Sequence, residues 1–206
     1  MTPLDQTIRG VMEFTWPMVI ICVLILSSIR ITAIIRNHEK FILYEELLKL
    51  LFMIYILCLF QIVTFEDPTF WIGEKNFNLI PLKEISRYEL GSRLFFKNVI
   101  GNLIMFIPYG SFASFFTKND NKYLSLILVS FASLTIEVTQ LSIGRIFDID
   151  DVLLNIAGGM IGYVIYRALT KVTNFLPNKS LKNKLLNVLT IVLIGIFIGY
   201  VWMVMI

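Results

Sequence analysis

Six long runs of apolar residues, separated by short polar connectors, dominate the pattern of this chain. Each run approaches the length of about 20 residues that an α-helix needs to cross the hydrocarbon core of a bilayer. The pattern therefore predicts an all-α fold, a polytopic transmembrane helical bundle. Its six predicted spans cover residues 14–35, 47–65, 95–116, 123–143, 152–169 and 185–205.

The first run is the least regular, because Arg30 interrupts it. An arginine near the end of a span can extend its guanidinium to the membrane interface, so the run still qualifies as a span. A signal peptide is the alternative, but Asp5 and Glu13 do not fit a basic leader region, and no small-residue cleavage site follows.

Composition supports a membrane protein and excludes several other classes. Hydrophobic residues make up 57% of the chain and charged residues only 16%, which leaves too few polar side chains to cover a soluble domain. The net charge of +3 is small and the basic residues lie in connectors, so nothing indicates nucleic-acid binding. The single histidine, His38, argues against a His-rich zinc site or a Ser-His-Asp triad, and no metal site is predicted.

The distribution of basic residues predicts the orientation in the membrane. Connectors on one side of a six-span arrangement carry 11 lysines and arginines, and those on the other side carry 7. The basic side is normally cytoplasmic, so both termini are expected outside, with Trp16, Trp71 and Trp202 near the outer interface. The long connector 66–94 is then a structured outer loop, in which Pro81 suits the first turn of a short helix reaching about Leu90.

We predict three regions along the chain: two N-terminal spans in 1–70, an outer loop with three spans in 71–169, and a basic connector with the last span in 170–206. The middle region carries most of the polar residues that lie at span ends. Because consecutive spans alternate in direction, the start of span three, the end of span four and the start of span five share one membrane face. The candidate binding residues there are Asn98, Asn102, Glu137, Gln140, Arg145, Asp148, Asp151 and Asn155.

Helical spacing places these residues in polar stripes, since residues three or four positions apart share a helix face. Glu137 lies about two turns inside its span, where a carboxylate needs a partner or a water-filled recess. Arg145 is the nearest basic residue in the sequence, and an arginine–carboxylate fork suits a partly desolvated pair.

Structural roles remain open for several of these positions. Asp150 or Asp151 would also serve to cap the fifth helix. The asparagines of the candidate set could instead form hydrogen bonds between helices. Gly158 and Gly162 have the four-residue spacing of small residues at which two helices pack closely.

The same segments resemble the VanZ-like family over roughly residues 78–163. The matching motifs, in the family's order, are Asn78-Leu79-Ile80-Pro81-Leu82, Asn98-x3-Asn102-x3-Phe106-Ile107-Pro108-Tyr109-Gly110, Glu137-x2-Gln140, Arg145-x2-Asp148-x-Asp150-Asp151 and Asn155-x2-Gly158-x3-Gly162. Leu82 and Tyr109 depart from it, since phenylalanine is common at both positions. The resemblance implies a small membrane protein of Gram-positive type bacteria, related to lower susceptibility to the glycopeptide teicoplanin.

Three functions stay open at this stage. In the first, the outward polar pocket binds a lipid-linked cell-wall precursor or the antibiotic itself, and membrane lipids surround the protein. In the second, a membrane enzyme acts on a polyprenyl- or phospholipid-linked substrate, with Glu137, Asp148 and Asp151 as general base or Mg²⁺ ligands and Arg145 holding a phosphate. Solute transport is the third, without internal repeats to favour it. No particular cofactor is indicated.

Overall fold

The computed structural model describes residues 3–38, 40–65, 77–118 and 121–205, with side chains at 17–38, 40–63, 77–118, 121–196 and 198–199. Within these residues lie six helices, so the predicted all-α bundle is confirmed. The helices are α1 (Pro3–Asn37), α2 (Leu43–Phe65), α3 (Arg93–Thr117), α4 (Lys122–Ser142), α5 (Ile149–Asn174) and α6 (Lys179–Met205).

Among the described side chains, five stretches are long and apolar enough to cross a membrane, one in each of α1 to α5. Their outward side chains are largely apolar, as at Ile35 and Phe131, which gives the surface that lipid contacts in a membrane. The sixth predicted span, 185–205, is helical within α6, but several of its side chains lie outside the described set. Its membrane crossing stays a prediction, and the side chains of Trp16, Trp71 and Trp202 also lie outside that set.

The chain divides into two compact units. The flanking unit comprises 1–65 and 174–206, and the central unit comprises 66–173. In the flanking unit α1, α2 and α6 contact one another. Arg30, which interrupts the first apolar run, forms a fork with Glu46 of α2, with Nε–Oε2 at 2.9 Å and Nη2–Oε1 at 3.0 Å. The guanidinium is therefore neutralised by a neighbouring helix, a pairing that the sequence does not reveal.

The central unit holds α3, α4 and α5 against one another through small residues. Gly158 and Gly162 of α5 face the α3 backbone so closely that an added Cβ would lie 2.0 Å from the Leu103 carbonyl oxygen and 2.1 Å from that of Ile107. Ser111 Oγ also donates to the Gly162 carbonyl at 3.0 Å. This spacing therefore serves helix packing, as the small-residue pattern indicates.

One face of α4 is buried along its whole length. It carries Ser125, Val129, Ser133, Glu137 and Gln140, which follow one another at intervals of four, four, four and three residues. Near the start of α4, Ser125 Oγ lies 2.9 Å from a hydroxyl of α3. Polar side chains thus continue from one end of the helix to the other, and the acidic and amide residues lie at its C-terminal end.

The described part of the connector between α2 and α3, which keeps the name outer loop from its predicted position, is ordered without the helix expected from Pro81 to about Leu90, so that prediction is wrong. Residues 81–84 form turns, and only Ile85–Arg87 is helical, as a short 3₁₀ turn. The reason is local, because Leu82 adopts a left-handed conformation with φ +65°, which a right-handed helix excludes. Instead, β1 (Phe77–Asn78) pairs in parallel with β2 (Phe147–Asp148), which precedes α5.

Candidate functional site

The end of α4 is shaped by a glycine turn that brings Arg145 back over the helix. Gly144 has φ +90°, its N–H donates to the Leu141 carbonyl at 3.3 Å, and the Arg145 N–H donates to the Gln140 carbonyl at 2.9 Å. These two bonds form the Schellman arrangement that commonly ends a helix at glycine. Because of this turn, the side chain of Arg145 reaches the last buried residues of α4.

Gln140 connects Arg145 to the buried Glu137. With its amide oriented to satisfy both neighbours, Gln140 Nε2 donates to Glu137 Oε1 at 3.0 Å, and its Oε1 accepts from Arg145 Nη1 at 2.8 Å. Glu137 is only 1% exposed, and it interacts electrostatically with Arg145 as well. The side-chain amide of Gln140 therefore bridges the Glu137 carboxylate and the Arg145 guanidinium, the two groups whose pairing the sequence predicts.

Asp148 joins α4, α5 and the outer loop. Its N–H donates to Glu137 Oε2 at 3.0 Å, and its Oδ1 accepts from Asn78 Nδ2 and from the Asp150 N–H, both at 2.9 Å. The last of these bonds is an N-terminal cap of α5, which begins one residue later. Capping was left open as a role for Asp150 or Asp151, and the structure shows it at Asp148, because β2 ends there with its carboxylate beside the first amides of α5.

Asp150 holds the outer loop. Its Oδ1 accepts from the Leu82 N–H, and its Oδ2 accepts from the N–H groups of Glu84 at 2.8 Å and Ile85 at 3.2 Å. The carboxylate is 1% exposed, so these bonds replace its hydration. Asp150 is not among the candidate binding residues predicted from the sequence, although Asp150 and Asn78 both stand in the family-like motifs.

The asparagines of the candidate set occupy three different environments. Asn102 Nδ2 donates to Asp151 Oδ1 at 2.6 Å and thereby ties α3 to the carboxylates of α5. Asn155 lies one helical turn further along α5, where its Nδ2 donates to Ser133 Oγ at 3.1 Å between two helices. This bond agrees with the alternative that Asn155 connects helices.

Asn98 lies in an irregular stretch of α3. This helix starts at Arg93–Phe95, passes through a π-helical turn at Phe96–Ile100 and continues as Gly101–Thr117. The shared face expected of Asn98 and Asn102 stays a prediction. Asn98 hydrogen-bonds the side chain of Tyr88 in the outer loop; burial raises the pKa of Tyr88, and this bond lowers it.

The structure thus brings together one cluster, which we call the polar cluster. Its electrostatics are acid-rich, since Asp151 interacts with Asp148, Arg145 and Asp150. The carboxyl and amide oxygens of such a set favour ligand groups that donate hydrogen bonds. Among the described residues, no three or more His, Cys, Asp and Glu side chains are arranged to hold a metal ion. The polar cluster consists of Asn102, Glu137, Gln140, Arg145, Asp148 and Asp151.

Two neighbours of the polar cluster retain unused acceptors. Within the described part of the chain, the buried oxygens Asn78 Oδ1 and Asn155 Oδ1 have no hydrogen-bond partner. A buried acceptor without a partner is costly, so each such atom suits a ligand donor or a bound water. Asn78, Ser133, Tyr88 and Asp150 are the residues that sequence reasoning missed, and only the motif around Asn78 and Asp150 offered a signal.

The Asp148 carboxyl gives a pH-dependent test of this arrangement. Burial raises its pKa above the usual 3.8, while the bonds from Asp150 and Asn78 lower it. The folded protein then binds the proton more tightly than the unfolded chain, so Asp148 contributes less stability as pH rises through the interval above 3.8. We expect the melting temperature of the wild type, relative to Asp148→Asn, to fall as the pH rises over the range above 3.8.

This difference is measured by thermal unfolding of both proteins in detergent across that pH range. The comparison removes the titration of Asp148 together with the charge that Asp148 places beside Asp151 and Glu137. The asparagine keeps an oxygen that accepts from the Asp150 N–H and from Asn78. A difference in melting temperature that stays constant or rises with pH would contradict the expectation.

The comparisons with known proteins agree with the motifs of the central unit. The sequence model of the family VanZ/LLP1 matches residues 52–171, which is more than half of the chain. The match covers α3, α4 and α5 up to residue 171, with every residue of the polar cluster. A search of curated proteins found no match, and a search of solved structures also found none. The chain belongs to the VanZ/LLP1 family of membrane proteins.

Proposed function

We propose that this protein lowers susceptibility to a glycopeptide of the teicoplanin type by binding a cell-envelope component or the antibiotic at the polar cluster. The observation that carries this proposal is the convergence, at one end of the central unit, of residues from α3, α4, α5 and the connector between α4 and α5: Asn102, Glu137, Gln140, Arg145, Asp148 and Asp151. Ionisable residues in an apolar bundle are costly, and they commonly mark a binding or transport site.

The charge of the polar cluster favours a peptide-like ligand. Its three carboxylates face one guanidinium, and the nearby Asn78 Oδ1 is a further acceptor. Amide N–H and amino groups are the complementary donors, and both a lipid-linked peptide precursor and a glycopeptide present them. The acyl chain of teicoplanin would lie in the bilayer beside such a site.

The orientation in the membrane is part of the proposal. With both termini outside, as the basic residues predict, the start of α3, the end of α4 and the start of α5 lie at the outer face. Glycopeptides and completed lipid-linked precursors are encountered at that face. An accessibility measurement with a membrane-impermeant thiol reagent on a cysteine placed at Ser142, which is exposed at the end of α4, tests this orientation in whole cells.

The proposed function is tested by teicoplanin susceptibility of a sensitive Gram-positive host that expresses the chain. We expect the wild type to protect and Glu137→Gln and Arg145→Ala each to return susceptibility to the level of the host alone, because each removes one end of the chain of contacts through Gln140. The matched control is Lys122→Ala, an exposed charge at the opposite end of α4, which should protect fully. Membrane abundance is equalised by immunoblot.

Two outcomes would contradict the proposal. If no variant and no wild-type protein protects although each is present in the membrane, the role in glycopeptide susceptibility is wrong. If Glu137→Gln or Arg145→Ala disappears from the membrane while Lys122→Ala accumulates, the cluster maintains the fold, since removing one member of a buried pair costs about 3–5 kcal/mol.

An enzyme that acts on polyprenyl- or phospholipid-linked substrates is the second candidate. The grouping of Glu137, Asp148 and Asp151 favours it, because neighbouring carboxylates can divide the roles of general acid and base. Turnover of labelled lipid intermediates by purified protein, after EDTA and again with added Mg²⁺, separates this candidate from binding alone. The absence of turnover under both conditions would exclude it.

A further inference from the structure

The outer loop presents three apolar side chains away from the protein. Leu79, Ile80 and Leu82 are 63%, 61% and 60% exposed, and with Pro81 they form a continuous apolar tip over residues 79–82. These residues belong to none of the candidate spans. A contiguous exposed apolar patch of this kind in a structured segment indicates a partner surface.

The backbone fixes the tip in this outward position. On one side, Asn78 is held by its pairing with Asp148 in the β ladder. On the other side, Asp150 binds the N–H groups of Leu82, Glu84 and Ile85. Leu82 is held at φ +65°, a conformation that is unfavourable for a branched side chain and persists only where the surroundings impose it.

The backbone N–H groups that follow Pro81 are bonded within the protein, which lowers the cost of moving the C-terminal side of the tip out of water. Pro81 has no N–H, and every backbone N–H from Leu82 to Tyr88 has a protein acceptor. Besides the three bonds to Asp150, the N–H of Lys83 donates to the Ile80 carbonyl and that of Ser86 to the Leu82 carbonyl. Non-helical backbone is tolerated at membrane depth only when its polar groups are satisfied within the protein.

The surroundings of the tip point to the lipid leaflet as its partner. Leu90, Leu94 and Phe96 are also exposed, and in the sequence they lie between the tip and the first turns of the spanning helix α3. Residues 77–97 carry four basic and two acidic side chains, a net charge of +2. Of these, Glu84 pairs with Arg87 at 2.6 Å, whereas Lys83 adjoins the tip and Arg93 lies at the first residue of α3.

We propose that residues 79–82 insert into the lipid leaflet beside the start of α3, and that Lys83 and Arg93 contact the head groups of anionic phospholipids there. Apolar side chains that enter the acyl region, flanked by basic residues at head-group depth, are the usual basis of interfacial anchoring. The buried Asp150 acts as a positioning residue that aims the tip at the leaflet. This anchor is independent of which ligand the polar cluster binds.

A depth measurement tests the insertion. Leu79→Cys and Ile80→Cys, each in a Cys22→Ser/Cys58→Ser background, are labelled with an environment-sensitive fluorophore and reconstituted into vesicles with nitroxides on the lipid acyl chains. The matched control is Glu89→Cys in the same loop, where the side chain is exposed and polar. We expect several-fold stronger nitroxide quenching at residues 79 and 80 than at residue 89. Equal quenching at the three positions would overturn the proposal.

The lipid preference is tested in the same system. Vesicles of phosphatidylcholine alone are compared with vesicles that also contain phosphatidylglycerol, using the label at residue 80. Quenching should increase with phosphatidylglycerol, and Lys83→Gln/Arg93→Gln should abolish that increase while retaining the quenching in phosphatidylcholine. If quenching in the protein with Lys83 and Arg93 intact does not depend on phosphatidylglycerol, the proposed head-group contact is wrong. If Lys83→Gln/Arg93→Gln loses quenching in both lipid compositions, these two charges do not act as proposed.

Discussion

Replacement of Gly158 by alanine is expected to abolish accumulation of the folded protein in the membrane. The new Cβ would lie 2.0 Å from the carbonyl oxygen of Leu103 and 2.9 Å from its carbonyl carbon. Overpacking costs about 1–3 kcal/mol where neighbouring side chains can move. Here the neighbour is backbone, so α5 and α3 must separate and lose their contact along the whole interface.

The control for this prediction is Gly101→Ala, which introduces the same methyl group into α3 of the same unit. Its Cβ meets only the Phe96 carbonyl oxygen at 3.6 Å, an ordinary contact, so it should accumulate like the wild type. Size-exclusion chromatography of fluorescent fusions in detergent measures the amount of monodisperse protein. Similar profiles for Gly158→Ala and Gly101→Ala would show that the helices do not approach as closely as described.

Replacement of Asp150 by alanine is expected to release the outer loop. The substitution leaves the N–H groups of Leu82, Glu84 and Ile85 without their acceptor, and a hydrogen bond to a charged group contributes about 1.5–3 kcal/mol. Loss of the three bonds should therefore lower the free energy of unfolding of the central unit by about 3 kcal/mol or more. Asp150→Asn, which keeps one acceptor oxygen, should have an intermediate effect.

Limited trypsin digestion in detergent measures this release, because Lys83 and Arg87 lie within the held segment. Cleavage there should be many times faster in Asp150→Ala than in the wild type. Glu89→Ala, which removes an exposed carboxylate from the same loop, should be cleaved at the wild-type rate. If Asp150→Ala and Glu89→Ala are cleaved alike, Asp150 does not hold the loop.

The contacts also separate residues that maintain the fold from those best suited to a functional test. Asp148 caps α5 and binds Asn78, and Asp150 holds the loop, so changes at either position alter the structure around the site. Glu137, Gln140 and Arg145 form a chain of contacts at the end of α4. Conservative variants of these three residues therefore report most directly on ligand binding.

Helical spacing predicted the polar stripes where the helix is regular. Glu137 and Gln140 share the buried face of α4, as residues three apart should. The shared face of Asn98 and Asn102 stays a prediction, since a π-helical turn covers Phe96–Ile100. Helical spacing did not indicate the cap of α5, because a strand that ends at Asp148 sets where the helix begins.

The sequence by itself determined the class of the protein, the approximate position of each helix and the end of the bundle where polar residues collect. These properties follow from the local cost of placing polar groups in a bilayer, which hydropathy along the chain records directly. Only the tertiary structure decided which polar atoms meet: the amide bridge of Gln140, the pairing of Asn102 with Asp151 and the hold of Asp150 on the loop. The pairing of Asn102 with Asp151 joins residues 49 positions apart in the sequence, and the bond from Glu84 to Asp150 joins residues 66 positions apart. Glycine packing and a two-residue β ladder bring such residues together in space, and helical periodicity does not record either of them.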